Sequence, residues 1–184
     1  MVKKLGKLDC AYNKIKKIEK AFGSDVVLVQ LSMDYNQIEE LPRDGSGSFC
    51  GYADVESFSF AHNKLKKFPK ILFDTNSQVS ALGLNGNGIE EIPKGTFNAS
   101  KYSYMMKTFD LTYNHLSKLP DDFNGKNMPF LYGVDLSNNR FTEVPTGPMD
   151  AATLTVYAVR NQRDENGNRL LRKWPGNLGL CPSL

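Results

Sequence analysis

The chain has 184 residues, 40% of them apolar, and a formal net charge of +3. It is long enough for one domain, its charge does not favour a nucleic-acid partner, and it lacks the run of about 18 apolar residues that a membrane-spanning helix needs. We expect neither a secretion leader nor a disulfide framework, because the basic start lacks an apolar segment and the three cysteines are widely separated.

One pattern recurs seven times along the chain. Three apolar residues, spaced by three positions and then by two, precede an asparagine that closes each copy. A period of this length predicts a solenoid in which each repeat adds one short parallel strand beside the last. The asparagines lie 22 to 27 residues apart, at Asn13, Asn36, Asn63, Asn87, Asn114, Asn139 and Asn161.

The apolar positions divide the chain into repeats from Leu5 onward. The seventh repeat is irregular, because the polar segment 163–170 delays its apolar tail until Leu171 and Trp174. Neither end shows a polar capping element, so we expect residues 1–184 to be a single domain that is cut from a longer repeat protein; the alternative is that it self-associates through an open end. The predicted repeats are 5–27, 28–54, 55–78, 79–105, 106–130, 131–152 and 153–177, with the start of an eighth at 178–184.

The asparagines have a predicted structural role. Each follows its strand, where backbone groups have no sheet partner, and a buried unpaired backbone group is costly. An amide side chain carries two donors and one acceptor. We therefore expect each asparagine to satisfy backbone groups of its own turn and of the neighbouring turn, so that the seven amides form a ladder.

The repeats resemble a known family. FDLTYNHLSKLPDDF and VDLSNNRFTEVP are similar to the leucine-rich repeat family, and the resemblance covers nearly all of the chain. YNQIEELPRD, FCGYADVESFSFAHNKLKKFP and RNQRDENGNRLLRKWPGNLGLCPSL resemble surface leucine-rich repeat proteins of gut Bacteroidetes. The resemblance implies an α/β fold, a right-handed horseshoe with a concave parallel sheet of about seven short strands and irregular, 3-10 or short helical convex segments. It also implies a cell-surface or extracellular location, with the cytoplasm as the alternative.

Function is expected on the concave face, where alternate strand positions point outward. Exposed tyrosines directly precede several asparagines, and tyrosine is favoured at binding hot spots. The alternative is that these rings only shield the strand edge from water. Gly83 and Gly86 are expected to leave a gap for a side chain of a partner. The predicted binding residues are Tyr12, Tyr35, His62, Asp110, Tyr113, Asp135, Tyr157 and Arg160.

Asp110 and Asp135 share one outward position on adjacent predicted strands. Two carboxylates this close could bind a cation or act in glycoside hydrolysis. The alternative is that they bond to Thr112 and Ser137 in their own turns. His62 and His115, about two repeats apart, are not expected to share a metal, and the sequence indicates no cofactor and no catalytic residue.

We therefore predict a non-enzymatic module that binds a protein or an extended ligand. The alternatives are a structural spacer in a larger cell-surface protein and a glycoside hydrolase that uses the paired aspartates. Seven strands about 4.8 Å apart, with about five exposed positions each, give a face on the order of 460 Å². A standard interface needs about 800 Å² per partner. This segment is thus expected to bind weakly or together with surface outside it. The ligand and the oligomeric state stay open.

Overall fold

The computed structural model describes residues 3–18, 26–41, 55–75, 79–98, 105–143 and 155–157. In this part of the chain, seven parallel strands form one sheet in which each strand pairs with the next along the sequence. The expected parallel solenoid sheet is therefore confirmed. The strands are β1 (Lys3–Asp9), β2 (Val26–Ser32), β3 (Ser57–Ser59), β4 (Ala81–Gly83), β5 (Thr108–Asp110), β6 (Gly133–Asp135) and β7 (Thr155–Tyr157).

Each strand from β3 to β6 buries one central apolar side chain and turns its two neighbours outward. Phe58, Leu82, Phe109 and Val134 occupy these buried centres in β3 to β6, and each is a register partner of the next. This is the two-residue alternation that a strand imposes. One face of the sheet is consequently core, and the other is open to a partner.

The core lies between the sheet and the returning segments. One short helix is described, α1 (Ile71–Thr75), which follows Pro69 and buries Phe73. Phe97 packs edge to face against Phe73 with ring centroids 5.2 Å apart and against Phe123 at 5.1 Å. Such aromatic pairs add about 0.5–1.5 kcal/mol each beyond their buried area. The aromatic residues of the return therefore hold successive repeats together at the back of the sheet.

A buried carboxylate also links two repeats on the returning side. Asp122 is 6% exposed and accepts hydrogen bonds from the backbone N–H groups of Gly95, at 3.1 Å, and Phe97, at 2.6 Å. A carboxylate that accepts several N–H bonds can be buried at low cost. Asp122 thereby fixes the bend of the preceding repeat against its own.

The asparagine side chains link each repeat to the one before it. In Asn87, Nδ2 donates to Leu84 O at 3.0 Å and to Phe60 O of the preceding repeat at 2.9 Å, while Oδ1 accepts from the N–H of Leu65 at 3.0 Å. The same three bonds recur at the equivalent positions of the other described repeats. They are made by Asn36, Asn63, Asn114 and Asn139, and all five amides are buried.

Several expected features lie at or outside the limits of the described residues. Asn13 is exposed and bonds only to its own turn, through Cys10 O and Ala11 O. Cys10 is a free thiol that packs partly buried against the core. No helix in the described ranges has the length and apolar character needed to cross a bilayer. Outside the description lie Cys50, Asn161, Arg160, Trp174, Cys181 and the polar segment 163–170.

We expect Asn87→Ala to lower the free energy of unfolding by about 1–3 kcal/mol, because Phe60 O, Leu84 O and the N–H of Leu65 lose a buried partner. Denaturant unfolding followed by circular dichroism measures this. Asn13→Ala is the matched control, since that amide is exposed and bonds only within its own turn; its expected cost is below about 0.5 kcal/mol. Equal costs for the two variants would contradict a ladder that joins repeats.

Candidate functional site

The outward side of the sheet consists of two strand columns in strict register. Along β1 to β6, one column contains Lys7, Gln30, Ser57, Ala81, Thr108 and Gly133; the other contains Asp9, Ser32, Ser59, Gly83, Asp110 and Asp135. The backbone register continues into β7, where Thr155 pairs with Gly133 and Tyr157 with Asp135. From β3 to β6 these residues are small. They line a depression of about 390 Å³ that is open to solvent, which we call the concave groove.

A third column follows the strands and directly precedes the asparagines. Its described members are Tyr12, Tyr35, His62, Gly86, Tyr113 and Asn138. All six have a left-handed backbone with φ between 52° and 67°. The N–H of each of the first five donates to a carbonyl of the next repeat, at 2.8–3.0 Å. Positive φ is free of cost for glycine, tolerated by asparagine and histidine, and uncommon for a bulky residue such as tyrosine.

Three rings of this column form an aromatic stack. The centroids of Tyr12 and Tyr35 lie 4.4 Å apart and those of Tyr35 and His62 lie 4.3 Å apart, with interplanar angles of 7° and 15°. Tyr12 is 76% exposed and Tyr35 is 44% exposed. The stack therefore presents a flat ring at its outer end and polar ring edges along its side.

The aromatic stack ends at Gly86, and the expected gap there is wrong. A Cβ at Gly86 would lie 2.5 Å from His62 Nδ1, so the imidazole occupies the space that the glycine leaves. The outcome at Gly83 is different, because this glycine lines the concave groove. A Cβ at this position would still lie only 3.0 Å from Ser59 Oγ. The opening is therefore on the strands and not in the column of tyrosines.

Tyr35 has a perturbed phenol. Desolvation within the stack, followed by the charge and the hydrogen bond of Tyr12 and the charge of Asp34, raises the pKa of Tyr35 above its ordinary value of 10.0. Each of these causes disfavours the phenolate. The raised pKa extends to higher pH the range in which the phenol is neutral and able to donate.

Asp110 and Asp135 are register partners on β5 and β6. Asp110 Oδ1 accepts from the N–H of Thr112 at 3.1 Å and from its hydroxyl at 2.8 Å, and Asp135 Oδ1 accepts from the N–H of Ser137 at 2.9 Å. The turn bonds considered from the sequence are therefore present. Within the described ranges, no group of three or more His, Cys, Asp or Glu residues could hold a metal ion.

An exposed apolar rim, which was not predicted from the sequence, precedes β5 and β6 on the side where these strands begin. Met105, Phe130 and Tyr132 are 37%, 52% and 53% exposed. Met105 and Phe130 directly precede the buried Met106 and Leu131, which open their repeats. An apolar residue adjacent to a buried strand position tends to face outward. The doubled apolar residues at these two repeat starts were the signal that could have found the rim.

Of the predicted binding residues, Tyr12, Tyr35, His62 and Tyr113 share the third column, while Asp110 and Asp135 lie in the groove. Tyr157 is described only as part of β7, and Arg160 falls outside the described residues. The binding role of all eight stays a prediction.

Known proteins share this architecture. A leucine-rich repeat protein from Bacteroides eggerthii is 38% identical, with a TM-score of 0.78 over 97% of this chain and 30% of that one. One from Bacteroides thetaiotaomicron is 31% identical, with a TM-score of 0.74 over 95% and 22%. The chain belongs to the leucine-rich repeat family. YopM from Yersinia enterocolitica, 18% identical with a TM-score of 0.56, shares the fold alone.

Among curated relatives, this leucine-rich repeat chain is similar to Tsukushi of Gallus gallus, with 30% identity over 75% of this chain and 37% of Tsukushi. It is 29% identical to Keratocan of Coturnix japonica over 90% of this chain and 45% of Keratocan. The chain thus spans less than half the length of these relatives. No protein-family model matches it.

We expect Gly86→Ala to destabilise the fold by about 1–3 kcal/mol, because alanine strains a left-handed backbone and its Cβ collides with His62. Denaturant unfolding of Gly86→Ala, His62→Ala and the double variant separates the two causes, since removing the imidazole relieves only the collision. Gly88→Ala is the control, because its Cβ would make an ordinary 3.5 Å contact with Leu65 O. Equal losses in the free energy of unfolding for Gly86→Ala and Gly88→Ala would contradict this interpretation.

We expect Tyr35 to ionise above pH 10.0 because its pKa is raised, and Tyr12→Ala to lower its midpoint because Tyr12 supplies two of the causes, a charge and a hydrogen bond. The neutral phenol is the form favoured by folding. Its contribution to stability is therefore complete below the unfolded pKa of about 10 and declines as pH rises through the folded value. The tyrosinate absorbance of the wild type minus that of Tyr35→Phe isolates this titration. A midpoint at or below 10.0 would contradict the stacked environment.

Proposed function

We propose that this chain is a non-enzymatic module that binds a protein or an extended ligand on its concave face. The observation that carries this proposal is Tyr113. Its ring is 57% exposed, its φ is 53°, and it makes no ring contact with another described aromatic residue.

Tyr113 is a costly choice at its position. The third column has Gly86 one repeat earlier and Asn138 one repeat later, so the turn itself does not need a tyrosine. Stacking offsets the backbone strain at Tyr12 and Tyr35, whereas no such contact supports Tyr113. Backbone strain that no neighbouring contact offsets is typical of functional positions. A rigid ring with a polar tip is also the side chain most often found at binding hot spots.

The area of the concave face limits the kind of complex that this segment can form. An area on the order of 460 Å² is about half of what a standard interface provides per partner. The segment therefore contributes part of a larger interface or binds one extended segment. We also infer, from the similarity to Bacteroides proteins, that the parent is a bacterial protein. The resemblance of the repeats to surface proteins leads us to propose the cell surface as its location, and proteolysis of intact cells checks this.

The two alternatives have less support. A structural spacer would not favour an exposed tyrosine on a strained backbone. Hydrolysis by Asp110 and Asp135 is disfavoured because Oδ1 of each carboxylate already accepts hydrogen bonds from its own turn. Unchanged hydrolysis of a glycoside panel by Asp135→Asn would argue against catalysis by this pair.

We expect Tyr113→Asn to weaken binding of a partner identified by cross-linking by about 30-fold, the loss typical of a hot-spot residue worth about 2 kcal/mol. The free energy of unfolding should stay equal or rise, because asparagine tolerates a left-handed backbone better than tyrosine does. Isothermal titration calorimetry and denaturant unfolding give the two quantities.

Lys118→Ala is the control variant, since Lys118 is exposed and lies after the asparagine of the same repeat, away from the strands. It should leave both affinity and stability unchanged. If Tyr113→Asn keeps full affinity, or loses affinity only together with stability, Tyr113 is not a binding residue and the proposal loses its main support.

A further inference from the structure

The concave groove has a shape that suits an extended chain. Its outward lining comes from four adjacent strands and consists of small or short side chains, among them Ser57, Ser59, Ala81 and Gly83. The groove runs across the sheet from β3 to β6, because its lining residues are register partners on these four strands. A single extended segment is the occupant that a shallow groove of about 390 Å³ accommodates.

The groove is negatively charged. Among the described residues that line it, only Asp110 and Asp135 are charged, and they are register partners on adjacent strands. Like charges directly opposite on adjacent strands destabilise a sheet. The one ion pair in the described ranges joins Lys7 to Asp9, two strands before the groove begins. A cation brought by a partner would therefore relieve a repulsion that the fold itself leaves in place.

Exposed aromatic residues lie just beyond both ends of the strands that line the groove. Tyr113 follows the turn that Asp110 caps through Thr112, and it lies on the side where the strands end. Tyr132 directly precedes β6 on the opposite side. Both rings are more than half exposed. Arginine pairs with carboxylates in bidentate geometry and also stacks on aromatic faces.

We propose, building on the proposed function above, that the concave groove binds an extended polypeptide segment through an arginine side chain placed on Asp110 and Asp135. The guanidinium spans the two carboxylates, which lie on strands about 4.8 Å apart. Tyr113 and Tyr132 contact the flanking parts of the segment. A divalent cation is a poorer match, since calcium takes six to eight oxygen ligands and no third ionisable ligand is grouped with the pair in the described ranges.

The test uses a fluorescent peptide of alternating arginine and glycine, with a citrulline–glycine peptide as the neutral analogue of the same shape. Fluorescence anisotropy should show binding of the arginine peptide that weakens with salt, and at least about tenfold weaker binding of the citrulline peptide. The double variant Asp110→Asn/Asp135→Asn should lose the preference for arginine. Its thermal stability should be at least that of the wild type, because asparagine keeps the Oδ1 acceptor of each turn and the repulsion disappears.

Asp9→Asn is the matched control. Asp9 accepts the same kind of turn bond, from the N–H of Ala11 at 3.1 Å, but lies outside the groove. It should leave peptide binding unchanged. The proposal is overturned if the two peptides bind equally, if the double variant binds the arginine peptide like the wild type, or if calcium stabilises the wild type but not the double variant, which would make the pair a metal site.

The two proposals can fail separately. If Tyr113→Asn abolishes binding of a cross-linked partner while the aspartate variant does not, the face binds proteins but not through a cation, and only the arginine proposal falls. If the aspartate variant alone removes binding of both the arginine peptide and the partner, the groove is the site and Tyr113 is not its anchor.

Discussion

The buried asparagine amide is the interaction on which this solenoid depends. After each strand the backbone leaves the sheet, so its N–H and C=O groups lose their regular partners. The amide replaces them on both sides at once. In Asn114, Nδ2 reaches Leu84 O of the preceding repeat at 2.9 Å, and Oδ1 accepts from the N–H of Ile89 at 3.0 Å. Because all five buried amides join the same atoms of adjacent repeats, they keep one strand-to-strand step from β1 to β6.

The amide also determines where function can arise. To place it inward, the chain turns sharply, and the residue before the asparagine adopts a left-handed backbone. That residue lies beyond the end of its strand at the edge of the concave face, and the turn accepts different side chains there. Gly86 lets the imidazole of His62 lie over it, Tyr35 is held between two rings, and Tyr113 contacts none of the other described rings. The fold thus creates one variable position per repeat, and the residue type at that position determines its chemistry.

The period of the sequence was sufficient to predict the sheet, its register and the outward columns, because each depends on backbone geometry that repeats every 22 to 27 residues. It could not predict contacts that depend on side-chain torsions between repeats. Two examples are the position of the His62 imidazole over Gly86 and the two hydrogen bonds that Asp122 accepts from the preceding repeat. The turn bonds of Asp110 and Asp135 were foreseen as one of two alternatives, since an aspartate two residues before an N–H commonly accepts from it.

The nearest-neighbour character of a solenoid explains how such a face can be strained and still stable. Each repeat contacts only the repeats beside it, so its stability is approximately a sum of local terms. The like charges of Asp110 and Asp135 and the left-handed backbone of Tyr113 lie in repeats that are stabilised by the amides of Asn114 and Asn139 and by the packing of Phe97, Phe109 and Phe123. These stabilising contacts lie behind the sheet or in its turns, away from the groove. The concave face can therefore change its charge and its aromatic residues without altering the contacts that keep the strands in place.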